Sequence, residues 1–200
     1  VSEATVLVVY YSRQGSTEAL ARQTAQGVES AGIAAKLRTL PSVSPVTEAT
    51  APEIPPSGPP YATLDDLREC DGLLLGSPTR FGNMAAPVKH FLDSTSELWL
   101  AGSMADKPAG VFTSSTSLHG GQESTLYTMV LPLVHHGMIW VGVPYTEAAL
   151  FETRTGGSPY GATHIESDWN TMLSDDETRI ARALGARVAR IAQALSSVRV

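Results

Sequence analysis

The chain has 200 residues, about two-fifths of them apolar, a formal net charge of −6 and one cysteine, Cys70. That much apolar material supports one sizeable core, hence a single domain over residues 1–200, and a single cysteine, which rules out an intrachain disulfide, points to a reducing, cytoplasmic setting. An acidic chain without a Lys/Arg cluster argues against nucleic-acid binding, and no apolar run nears the roughly 18 residues that span a bilayer, so a soluble, unanchored protein is expected.

"TVLVVYY", Thr5 to Tyr11, is a nearly continuous β-branched and aromatic run, the pattern of a strand buried on both faces of a sheet. After the turn "SRQGS", Leu20, Thr24, Val28 and Ala31 recur at helical spacing until Gly32 stops the helix. "AAKLRTL", Ala34 to Leu40, reads as the next strand. Residues 41–62 form a Pro-rich insertion, with seven of the thirteen prolines between Pro41 and Pro60, too dense for helix or ladder. Thr63 and Asp66 have the spacing of a capped helix start. A second buried strand spans Asp71 to Ser77, and after the irregular "PTRFGNM" a helix is expected over Ala86 to Ser94. "PAGVFTSS", Pro108 to Ser115, is the third strong strand; a Gly-rich loop leads to a helix over Gln122 to His136 and a strand over Met138 to Tyr145. Residues 146–174 read as a loop insertion, and the final helix, Asp175 to Ser196, carries Ile180, Leu184, Val188, Ile191 and Leu195 on one stripe. Alternating strands and helices imply an α/β fold: a doubly wound, five-stranded parallel sheet with helices on both faces.

In such sheets ligands bind outside the carboxyl ends of the strands. The three loops there, Ser12 to Thr17, Pro78 to Met84 and Ser114 to Gln122, are rich in Ser, Thr, Gly and Asn and poor in charge, so they read as one hydrogen-bonding crevice. In the first, helix N–H groups and the hydroxyls of Ser12, Ser16 and Thr17 suit a phosphate that is bound and not transferred; simple N-capping by Ser16 and Thr17 is the competing reading. Arg80 and Phe81 offer a flat ligand a cover, or else Phe81 tucks under the next helix and Arg80 is a solvated cation. Trp99 is core filler or an aromatic wall, and His135 and His136 are C-cap partners unless a ligand claims them. His119 is a ligand contact or merely exposed. No set of residues has metal-ligand spacing, no nucleophile elbow follows a strand, and the strand ends lack the acids of a phospho-receiver.

Together "SPTRFGNM", "FLDSTSELW", "HGGQEST", "HHGMIWVGVPY" and "GGSPYGA" resemble the flavodoxin-like NAD(P)H:quinone oxidoreductases of the WrbA type, first named as tryptophan-repressor-binding proteins, over nearly the whole chain. The resemblance implies that Ser12, Arg13, Gln14, Gly15, Ser16 and Thr17 wrap the phosphate of FMN. It places Pro78, Thr79, Arg80, Phe81, Gly82 and Asn83 along the isoalloxazine ring. Ser114, Ser115, Thr116, Ser117, Leu118, His119 and Gly120 would meet ring and ribityl chain. His135 and the substrate-side Trp99 would close the site, at least one of them from a neighbouring subunit of a homotetramer. NADH or NADPH would reduce the flavin and a quinone would reoxidise it in a ping-pong cycle, with Arg80 and His135 stabilising negative charge. Two departures stand out: Gln14 replaces an aromatic found in some relatives, and the Gly-rich loop is one residue longer than in some. The rival readings are a flavodoxin-type electron carrier and a non-catalytic regulatory partner.

Overall fold

A computed structural model describes residues 4–43, 54–166 and 171–196. The first three strands are β1 (Thr5–Tyr10), β2 (Ala34–Thr39) and β3 (Gly72–Arg80), separated by helices α1 (Ser16–Ser30) and α2 (Leu64–Glu69). β3 turns back into the short β4 (Asn83–Met84), followed by α3 (Ala86–Asp93), α4 (Ser96–Leu100), β5 (Pro108–Ser115) and α5 (Gln122–His135). The remainder is β6 (Ile139–Trp140), α6 (Ala149–Glu152), β7 (Ala162–Ile165) and α7 (Asp175–Ser196). The sheet order is β2-β1-β3-β5-β6, all neighbours parallel, with β7 also paired to β5 and β4 antiparallel to β3.

Alternation along the central strands divides the core between the two faces. Val6, Val8 and Tyr10 of β1, Leu74 and Phe112 pack with α1 and α7 on one side; Leu7, Val9, Leu73, Leu75 and Val111 pack with Leu67, Val88, Leu98, Leu126 and Met129 on the other. α1 and α7 approach so closely that a Cβ on Gly27 would lie 2.1 Å from the Arg182 carbonyl oxygen, and one on Gly185 2.0 Å from that of Thr24. Glycine at both crossings therefore sets the position of α1, and with it the loop that opens it.

The expected five-strand count needs a correction at the fifth position. Of the run expected over Met138 to Tyr145, only Ile139–Trp140 forms a strand; Val141 N–H still donates to Ala109 O, but by Val143 the chain has turned toward Pro159 O. β7 takes up the same edge of β5 higher along the strand, pairing Phe112 with Ala162 and Ser115 with Ile165. So the segment read as a loop over 146–174 contains a helix and a strand. Glu177 of α7 fastens it: its carboxylate accepts from the N–H groups of Gly156 (2.8 Å), Ile165 (3.1 Å) and Ser174 (2.8 Å) and pairs with His164 Nδ1 at 3.0 Å. Burial opposes charge on Glu177, but the bonds from His164, Ser174 and Ile165 outweigh it and hold the carboxyl down at about 2.

Thr63 and Asp66 form the expected capping box. Within the Pro-rich stretch, residues 44–53 lie outside the described residues; at its end Tyr61 bridges to Thr39 beside β2.

Candidate functional site

The carboxyl ends of β1, β3, β5 and β7 converge on a cleft lined by Ser12, Arg13, Gln14, Ser16, Thr17, Pro78, Thr79, Arg80, Ser114, Ser115, Thr116 and Glu166. Eleven of these twelve were candidates from the sequence. The twelfth, Glu166, was not.

Gly15, at φ +100°, is the N-cap of α1 and donates its N–H to Ser12 Oγ at 3.1 Å. Ser16 and Thr17 are the first two helical residues, and neither side chain caps the helix. Their hydroxyls point elsewhere: Thr17 Oγ1 bonds Ser114 Oγ at 2.9 Å, and Ser16 donates to Glu166 Oε2 at 2.5 Å. The N-capping alternative therefore falls. The first-turn N–H groups of a helix have no acceptor within it, so the start of α1 faces the cleft as a ready anion cradle.

The second loop is not irregular. β3 runs on to Arg80, and Phe81 and Gly82 form a two-residue hairpin turn into β4, with Thr79 paired to Met84 and Arg80 to Asn83. Both turn residues have positive φ, 53° for Phe81 and 73° for Gly82, as a twisted hairpin requires. Glycine adopts this freely; a phenylalanine there is strained, and its ring is fully exposed. Phe81 thus does not tuck under the following helix. A Cβ on Gly121 would come 2.9 Å from Gly82 Cα, so two glycines let the hairpin tip press against the third loop. Arg80, also exposed, donates to Thr79 O at 2.8 Å, and Asn83 Oδ1 accepts from Met84 N–H, which keeps these polar groups at the rim.

In the third loop Ser114 and Ser115 still belong to β5 and are buried. Gln122, the first residue of α5, donates to Ser115 Oγ (2.7 Å) and Ser117 O (2.8 Å), and Gly120 N–H closes on Ser117 O. These bonds brace the loop. Thr116 enters the cleft, while Ser117, Leu118, His119 and Gly120 flank it, with Leu118 and His119 exposed.

Trp99 and His135 are together but elsewhere. Their rings stack at 5.7 Å, both exposed, at the far end of α5. That helix starts at the cleft and has 14 residues, so His135 sits roughly 20 Å from it, beside the amino ends of the strands. Neither residue reaches the cleft of its own chain. His136, by contrast, turns inward and hydrogen-bonds Thr95 Oγ1 at 2.8 Å.

Glu166 lies within residues 146–174, which read from the sequence as a loop, and so it is absent from the sequence candidates. The signal was present in "GATHIE", a short β-branched run after a Gly-rich turn, whose end belongs at the same rim as the other strand ends. Among the described residues no cluster of three or more His, Cys, Asp or Glu is placed to hold a metal ion, and no helix is long and apolar enough to cross a membrane.

Sheet order and cleft together define a flavodoxin-like protein. Residues 4–150 match the family described as NADPH-dependent FMN reductase, and the chain belongs to that family. It is 45% identical over 202 residues to an NAD(P)H dehydrogenase (quinone) of Geobacter sulfurreducens, covering 96% of this chain and 98% of that one. A protein of the same name from Solidesulfovibrio magneticus is 42% identical over 199 residues, covering 95% and 98%. Among solved structures, the flavodoxin, WrbA-like protein from Agrobacterium tumefaciens superposes with a TM-score of 0.69 at 27% identity, over 96% of this chain and 99% of that one.

Proposed function

We infer that the chain is an FMN-dependent oxidoreductase that reduces quinones to hydroquinones at the expense of NADH or NADPH. The observation that carries this reading is the cleft itself: an uncapped helix start, three strand ends bearing hydroxyls, and a strained, fully exposed phenylalanine beside an exposed arginine. The first part suits a phosphate and the second a flat ring system. The names of the relatives at 42–45% identity support the enzyme over an electron carrier.

Bound FMN would supply the redox chemistry, two-electron transfer from the nicotinamide to the quinone. The chain's own residues bind and orient. Ser12, Thr17 and the first-turn N–H groups of α1 hold the phosphate, with Arg13, Gln14, Gly15 and Ser16 closing the loop around it. Pro78, Thr79, Arg80 and Phe81 line the ring, Gly82 and Asn83 shape the hairpin that presents them, and Ser114 to Gly120 face ring and ribityl chain. Arg80 stabilises the negative charge that develops during transfer. Trp99 and His135 act on a neighbouring chain's cleft in a cytoplasmic homotetramer, since in their own chain they stand at the opposite end of the sheet. The chain works as one domain, with the Pro-rich segment over 41–62 following β2 in the sequence.

The test is anaerobic: the FMN-loaded protein should bleach on adding NADPH or NADH and recover its colour on adding benzoquinone. Arg80→Ala and His135→Ala should each slow one of the two half-reactions at least tenfold. A protein that takes up no FMN overturns the reading; two variants with unchanged rates overturn only the roles given to those side chains.

A further inference from the structure

A phosphate cradle gains nothing from a carboxylate, yet Glu166 lines this one. It is 7% exposed, its N–H donates to Ser115 O at 2.7 Å, and its Oε2 takes the hydroxyl proton of Ser16 at 2.5 Å. Ser16 opens α1, so the hydroxyl best placed to serve an anion at the helix start is already committed to the carboxylate. Among the described residues the charged groups lining the cleft with Glu166 are few. Arg13 comes from the loop after β1 and Arg80 from β3; Glu18, in the first turn of α1, is paired with Arg22; the strand end of β5 contributes only hydroxyls. On the β7 and α7 side, His164 and Glu177 are paired to each other.

Two anionic oxygens within hydrogen-bond reach cannot both stay ionised; such a pair retains one proton between them. A phosphate monoester carries its second proton only below a pH of about 6, so near neutrality the free ligand is mostly a dianion. Entry of the phosphate then brings these two groups together over Ser16. We propose that Glu166 shares one proton with the phosphate of the bound flavin, so that FMN binding takes up a proton from solvent. The balance is one proton gained, held between a Glu166 oxygen and a phosphate oxygen, with no bond broken. Glu166 thereby makes cofactor retention pH-dependent and confines that dependence to the phosphorylated flavin. The proposal rests on the reading that this cleft holds the FMN phosphate.

The test titrates flavin-stripped protein with FMN and with riboflavin between pH 6 and 9, following quenching of flavin fluorescence. Calorimetry in buffers of different protonation enthalpy counts the protons. For the native chain the Kd for FMN should rise toward tenfold per pH unit above about pH 7, with close to one proton taken up at pH 8, while riboflavin affinity stays flat. Glu166→Gln should bind FMN at least tenfold more tightly at pH 8 without proton uptake, and Glu166→Ala should lose the uptake as well. A flat FMN affinity in the native chain, or proton uptake persisting in both variants, overturns the proposal. FMN and riboflavin binding alike in every protein, or not at all, would instead overturn the assignment of the cleft to the FMN phosphate.

Discussion

The two ends of the sheet differ in how far their side chains are satisfied within the chain. At the carboxyl end the polar groups are tied to one another inside the chain: Thr17 to Ser114, Ser16 to Glu166, Gln122 to Ser115 and Ser117. At the amino end α4, α5 and β6 leave Trp99, Leu100, Leu131, Val134, His135 and Ile139 exposed, with Trp99 and His135 stacked on each other. The first end is preorganised by one chain's own bonds. The second offers an exposed apolar surface of the kind that marks interaction sites, about one helix length, roughly 20 Å, from the cleft.

Breaking the internally tied end should cost most. Glu177→Ala leaves three N–H groups and His164 without their shared acceptor, and should destabilise the chain by about 3–5 kcal/mol in urea unfolding. The same residue sets an acid limit. Because its carboxyl is held near 2, its contribution is complete above the ordinary Glu value of about 4.5 and is lost as pH falls from there toward 2. Acid titration of the native chain should show that loss, and Glu177→Gln should flatten it.

A smaller effect is expected inside the cradle. Thr17→Val removes a hydroxyl lining the cleft and its bond to Ser114, and should weaken FMN binding about 10- to 100-fold, the size of a hydrogen bond to a charged group. Riboflavin titration serves as the control and should be nearly unchanged. At the other end Leu131→Asp, on an exposed position, should alter the fold by under about 0.5 kcal/mol. Its effect should appear in sedimentation as loss of the assembled form, and retention of that form would remove the contrast between the two ends.

Much of this was legible in the residues because the signals were periodic or strongly placed. The apolar run at Thr5 reads as a doubly buried strand and is one, and the stripe from Ile180 to Leu195 marks α7 over its observed length. The three loops were found by the rule that strand ends carry the ligand, which needs only strand order. What failed to show was whatever depends on where a strand stops. "MIWVGVPY" looks like one strand, yet the chain leaves the sheet after Val141, because the edge of β5 is shared with a segment twenty residues further on. β3 overruns its apolar run by three residues and turns the second loop into a hairpin. The resemblance singles out Trp99 and His135, but only the direction of α5 shows how far they stand from the cleft of their own chain.

The divided edge beside β5 has a consequence for life at high concentration. A long, flat border strand invites another chain to add to the sheet, the first step toward aggregation. Here that border consists of a two-residue piece and a four-residue piece, parted by an excursion through α6 and fastened from behind by Glu177. The opposite border, β2, is met at its end by Tyr61. The detour that delivers Glu166 to the cleft thus also denies strangers a template.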